Sequence, residues 1–165
     1  MRSVFILGAL FLAFFSCNTK EKEVSSTQDQ IVKIETKKWP KKLTVAGKAG
    51  TILSEWPEFN AFDSSFDAIY GVEGKEDLIL IIEDLIEKQK LLAKSKYPED
   101  FNLPQVKSRQ KIALTYLLKT KGDLEYQINA EESVIAFINA YNAMRNQFNV
   151  LLNNTLNNKL ILDEE

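Results

Sequence analysis

Near the C-terminal end of this 165-residue sequence, Asn142 and Arg145 fall beside an apolar helical stripe, among Asn139, Asn146 and Gln147. An amide or guanidinium drawn toward a core has to be hydrogen-bonded or paired. Such groups therefore line a ligand pocket, fix the register of a bundle, or snorkel from a helix edge. A second constellation is the row Trp56, Phe59, Phe62, Phe66 and Tyr70. Steps of three and four residues put it on one helix face. It is suited to an apolar or sugar ligand, although rows of this kind more commonly form core. Asn142, Arg145, Trp56 and Tyr70 are the candidate ligand-binding residues.

Charged groups offer less. Glu83 and Glu87 are four apart and share a face, the geometry of carboxylate-bridged metals in helical bundles. Those bundles also use Glu-x-x-His pairs, and this chain has no His. A solvated acidic face balanced by Lys88 and Lys90 is the expectation, with no metal. Lys107, Arg109 and Lys111 fan around a helix, as alternate residues do, so they do not form one basic patch. The missing His also excludes His-dependent triads and imidazole pH switches. With one Cys and neither a Gly-rich phosphate loop nor a G-x-S-x-G elbow, the chain is expected to be non-enzymatic and cofactor-free. A net charge of −2 argues against nucleic acid as a partner.

The lone cysteine, Cys17, follows the short basic start Met1-Arg2-Ser3 and an apolar run over residues 4–15. Twelve residues at about 1.5 Å each span about 18 Å, short of the ~30 Å hydrocarbon core. The run therefore reads as a signal-peptide segment and not as a spanning helix. Together with Phe14-Phe15-Ser16 before the cysteine, it resembles the signal of bacterial lipoproteins. The resemblance implies cleavage after Ser16, a lipid on Cys17 and a membrane partner held through that lipid. Asp at the next position retains members of the class in the inner membrane; Asn18 here favours the outer membrane.

The elements that position the candidate groups follow from hydrophobic period. Residues 1–16 form the leader. Residues 17–53 read as a lipid-anchored tether followed by a basic irregular segment, with six lysines against Glu35 between residues 33 and 48. Gly47 and Gly50 mark turns there. Residues 54–165 read as the folded part. Ser54 is placed to cap a first helix that carries the aromatic row and ends at Gly71. A second helix starts at Lys75, with Leu78, Ile81, Ile82, Leu85, Gln89 and Leu92 as its stripe, widened by Ile79, Ile86 and Leu91. A third opens at Pro104 with Asn102 as cap and carries Val106, Gln110, Ala113, Leu117, Thr120 and Leu124. A turn over residues 127–131 precedes the fourth, whose stripe includes Ile135, Ile138, Tyr141 and Phe148. Leu160-Ile161-Leu162 is expected to dock as a tail.

The fold expected is all-α, an up-down bundle of about four helices behind a signal peptide and flexible tether. The role expected is a helical interaction module of the cell envelope that meets a protein partner. The alternative is a periplasmic small-ligand or cation sensor with a pocket between helices. Replacing Cys17 by Ala is expected to abolish uptake of a fatty-acid analogue and to release the protein from membranes on cell fractionation. Retained label would remove the lipoprotein assignment.

Overall fold

A computed structural model of the chain describes residues 34–153. The leader, Cys17, the polar run to Gln30 and the Leu160-Ile161-Leu162 tail lie outside the described residues. Five α-helices and no strand occur among the described residues: α1 Gly47–Ser54, α2 Pro57–Ala68, α3 Lys75–Lys94, α4 Pro104–Glu125 and α5 Glu131–Asn153. The chain is an all-α bundle. Before α1, residues 34–46 form a strap, with a 3-10 turn at Thr36–Lys38 and non-helical chain after it.

Each long helix turns most of its expected stripe inward; Ile81 and Ile135 are only half-buried, and α5 buries Val134 and Phe137 in place of Ile135. Leu78, Ile82, Leu85, Gln89 and Leu92 of α3 are buried, as are Val106, Gln110, Ala113, Leu117, Thr120 and Leu124 of α4. From α5 come Val134, Phe137, Ile138, Tyr141, Met144 and Phe148. Successive long helices are neighbours, and cross-helix pairs set their direction. Gln89 reaches the backbone of Gln110, whereas Glu83 pairs with Lys121, so α3 and α4 are antiparallel. Phe59 meets Phe148 and Phe66 meets Phe137 at ring-centre distances of 5.6 Å each, so α2 and α5 are antiparallel too and close the bundle.

Helix ends depart from expectation in instructive ways. Ser54 does not cap α2; it is the last residue of α1, and Trp56 occupies the cap position before Pro57. Asn60 instead donates its Nδ2 to the Ser54 carbonyl at 2.8 Å. Leu103, not Asn102, precedes α4, and Asn102 closes the 3-10 turn Glu99–Phe101. Gly71 does not take a left-handed C-cap, since α2 runs on into a 3-10 turn at Ile69–Gly71. That conformation falls to Gln127, at φ 57°. The Ile128 N–H bonds the Asp123 carbonyl and the Gln127 N–H bonds the Leu124 carbonyl. This is a Schellman stop without its usual glycine, and it separates α4 from α5.

The largest difference is in the segment expected to be irregular and solvated. Its described part, residues 34–53, packs on the bundle: Trp39 is 5% exposed, Ala49 0% and Leu53 4%. Gly47 starts α1 at φ 60°, and Gly50 sits inside it, where a Cβ would come within 2.9 Å of the Val45 carbonyl oxygen. Lysine density concealed this. Trp39 supplies an aromatic anchor, and Lys42 is neutralised by Asp63 and Asp67 at 3.2 and 2.6 Å.

Leu85 is fully buried at the centre of α3, and Glu87 is exposed. Truncating a buried leucine removes its transfer energy and leaves a cavity, so Leu85→Ala should cost about 2–5 kcal/mol in urea unfolding. Glu87→Ala should stay within roughly ±0.5 kcal/mol, as a solvated charge does.

Candidate functional site

Three polar side chains of α5 converge on the strap. Asn142, Arg145 and Asn149 lie at i, i+3 and i+7, so they share one helix face. The Leu43 N–H donates to Asn142 Oδ1 at 2.8 Å, and Asn142 Nδ2 donates to the Lys41 carbonyl at 2.9 Å. Two turns on, Asn149 Nδ2 donates to the Thr44 carbonyl at 3.0 Å, and Asn149 Oδ1 accepts the Ala46 N–H at 3.4 Å. Between them, Arg145 Nε donates to the Leu43 carbonyl. The strap is thus held by its main chain, as a strand is held by its neighbour in a sheet.

Beneath it lies a charged cluster. Arg145 Nη1 pairs with Asp63 Oδ1 of α2, with the two side chains 9% and 24% exposed. The Tyr141 hydroxyl donates to the same carboxylate oxygen, and Arg145 Nη1 donates to the Tyr141 hydroxyl oxygen at 3.2 Å. Lys42 comes down from the strap onto Asp63 Oδ2 at 3.2 Å. Burial pushes the Tyr141 phenol well above its ordinary range, and the Asp63 charge adds to the rise.

Tyr70 belongs to the same assembly. Its hydroxyl donates to the Pro40 carbonyl at 2.6 Å, and its own carbonyl accepts from Thr36 Oγ1 at 3.0 Å. Trp56 does not. Its ring meets that of Tyr97 at a tilt, 4.8 Å between centres, and it donates Nε1 to Ser95 Oγ at 2.9 Å, at the end of the bundle where α2 begins. Three of the four candidate ligand-binding residues, Asn142, Arg145 and Tyr70, are therefore brought together, around a segment of the chain itself. Phe59, Phe62 and Phe66 are core. Asn139 and Asn146 point to solvent.

Asp63, Lys42, Tyr141 and Asn149 completed the cluster without having been singled out as site residues. The spacing 142, 145, 149 marks a polar line beside the apolar stripe and was the available signal. Elsewhere Asp84 pairs with Lys88 and Lys119 with Asp123 along a single helix, each at 2.8 Å, and Lys121 pairs with Glu83 across α3 and α4. No grouping of three or more His, Cys, Asp or Glu suited to a metal occurs among the described residues. No helix among them is long and apolar enough to cross a membrane.

A cleft of about 590 Å³ opens at the other end of the bundle from Trp56. Trp39, Leu78, Leu124 and Val134 wall it, and Lys75 and Asn129 stand among its polar groups. Ile128 also lines it and is 58% exposed; Tyr126, on the same turn, is 80% exposed. A groove of about 1050 Å³ runs past Trp56, Tyr97 and Lys107. No family model, curated protein or solved structure matches the chain.

Tyr141→Phe should cost about 1.5–3 kcal/mol at pH 7, the range for a hydrogen bond to a charged group. The wild-type phenol has its folded pKa raised above the unfolded value of 10.0. Its contribution is therefore complete below pH 10 and is lost as pH rises further. Urea unfolding at neutral and alkaline pH should show a smaller alkaline loss in Tyr141→Phe than in the wild type. An equal alkaline loss would mean that the phenol ionises freely in the folded state.

Proposed function

We propose that this chain is a non-enzymatic, lipid-anchored module of the cell envelope that works by contact with a protein partner. Cys17 behind its apolar run supports the anchor, and Asn18 supports the outer membrane as its location. The contact role is carried by one observation. The polar groups suited to a ligand are spent on the strap, while Tyr126 and Ile128 stand exposed on the α4–α5 turn. Exposed aromatic and aliphatic side chains beside a cleft are what a docking surface offers.

The cleft favours a second reading, a small-ligand or cation sensor. Its volume lies within the ordinary range for small-molecule sites, and apolar walls with a few polar groups are typical of them. A photo-crosslinking amino acid at Tyr126 or Ile128 in cells should give a discrete protein adduct that the same probe at Glu87 does not give. Adduct-free probes, together with a small molecule retained in native mass spectra of the purified chain, would replace the first reading with the second.

A further inference from the structure

We propose that the groove between α2 and α5 is a binding site for extended polypeptide, and that the strap fills it in cis as a displaceable pseudo-ligand. The inference rests on the contact-module reading for the partner's being a protein, and it names the kind of segment that partner presents.

The recognition is of main chain. Asn142, Arg145 and Asn149 read carbonyl and N–H groups of Lys41, Leu43, Thr44 and Ala46, which any extended segment without proline at those places would present. Peptides added to sheet edges are held in the same manner, with specificity left to a few side-chain positions. Here there are two. Trp39 is the buried anchor, set where the groove opens at the bundle end beside Leu78, Leu124 and Val134, and three residues on Lys42 lies between Asp63 and Asp67. The segment the groove fits is therefore extended, with an aromatic side chain followed at the third position by a lysine.

The hold is also one that can be released. Between residues 34 and 46 only Trp39 is buried. The bonds from Asn142 and Asn149 to the strap are solvent-exposed, where water competes for each partner. Segments with few buried apolar contacts and exposed backbone bonds open locally while the rest stays folded. None of the five α-helices lies in the strap, which holds only the 3-10 turn Thr36–Lys38 and joins α1 at Gly47. In place, it enjoys the high effective concentration of an intramolecular ligand, so it excludes competitors until a local partner concentration matches it.

The test uses the full chain carrying Trp39→Ala and Lys42→Ala together, and a fluorescein-labelled synthetic peptide of residues 36–46. Circular dichroism should show the helices of the variant intact. Fluorescence anisotropy should show saturable binding of the peptide, at least tenfold tighter than to the wild type. Lys42→Glu in the peptide should weaken binding at least tenfold. A helical variant that does not bind the peptide overturns the proposal. A variant that loses its helices does so as well, because the strap would then be part of the fold and not a ligand. Hydrogen exchange on the wild type provides an independent check. The amides of Leu43 and Ala46 should exchange at least tenfold faster than those in the middle of α5. Exchange at the same rate would mean that the strap opens only with the whole bundle. Because neither measurement uses the lipid or the Tyr126 turn, failure here is distinguishable from failure of the envelope reading.

Discussion

One carboxylate, that of Asp63, joins three parts of the chain. It accepts from Tyr141 and Arg145 of α5 and from Lys42 of the strap, while its own backbone belongs to α2. A carboxylate three-quarters covered is costly unless its oxygens are paired, so the position of each partner is constrained by the others. Apolar burial provides most of the drive to pack α2 against α5, but it is non-directional. The charged cluster adds direction. Sliding α5 by one turn would strand the Asp63 charge and separate Phe62 and Phe66 from Tyr141, which they meet at 5.2 and 4.4 Å. We regard Asp63 as the register pin of the bundle, and the aromatic contacts as the energy it organises.

The α3–α4 side uses a weaker version of the same device. Gln89 is buried and donates Nε2 to the Gln110 carbonyl at 2.9 Å; Gln110 in turn accepts from the Tyr97 hydroxyl. Gln89 Oε1 and Gln110 Nε2 have no hydrogen-bond partner among the described residues. Amides in an apolar stripe cost stability relative to leucine and fix which turn of one helix meets which turn of the next. Polar pins on both sides of a largely apolar core give a bundle with one register. The surfaces left for recognition are then the helix ends and the strap, where the chain is not committed to the helical ladder.

Legibility in the sequence followed the same division. All six stripe residues of α4 and five of the six of α3 could be read from period alone, Ile81 being only half-buried, because burial on one face selects that spacing whatever the neighbours are. Ends were read less well. Ser54, Asn102 and Gly71 have the right chemistry for caps, but each sits one or two residues from where tertiary packing stops the helix. Gln127 took the left-handed place because the α4–α5 junction required it there, and nothing in its side chain announces that. Residues 34–46 were read worst. Their lysines suggested a solvated segment, and their partners lie about a hundred residues away in α5.

The reason for that last failure is physical. A segment recognised through its carbonyl and N–H groups carries no side-chain signature of being recognised, since every residue but proline has both groups. The signature lies on the other side of the contact, in the amides and guanidinium that do the reading. Asn142 and Arg145 stood out in the sequence because polar groups beside an apolar stripe need partners. What could not be inferred was that the partner is the chain's own backbone. The same asymmetry bears on function: a groove that reads main chain constrains its own residues tightly and those of its occupant only at Trp39 and Lys42. Most of the strap could change in sequence and still fit, whereas Asp63, Asn142, Arg145 and Asn149 could not.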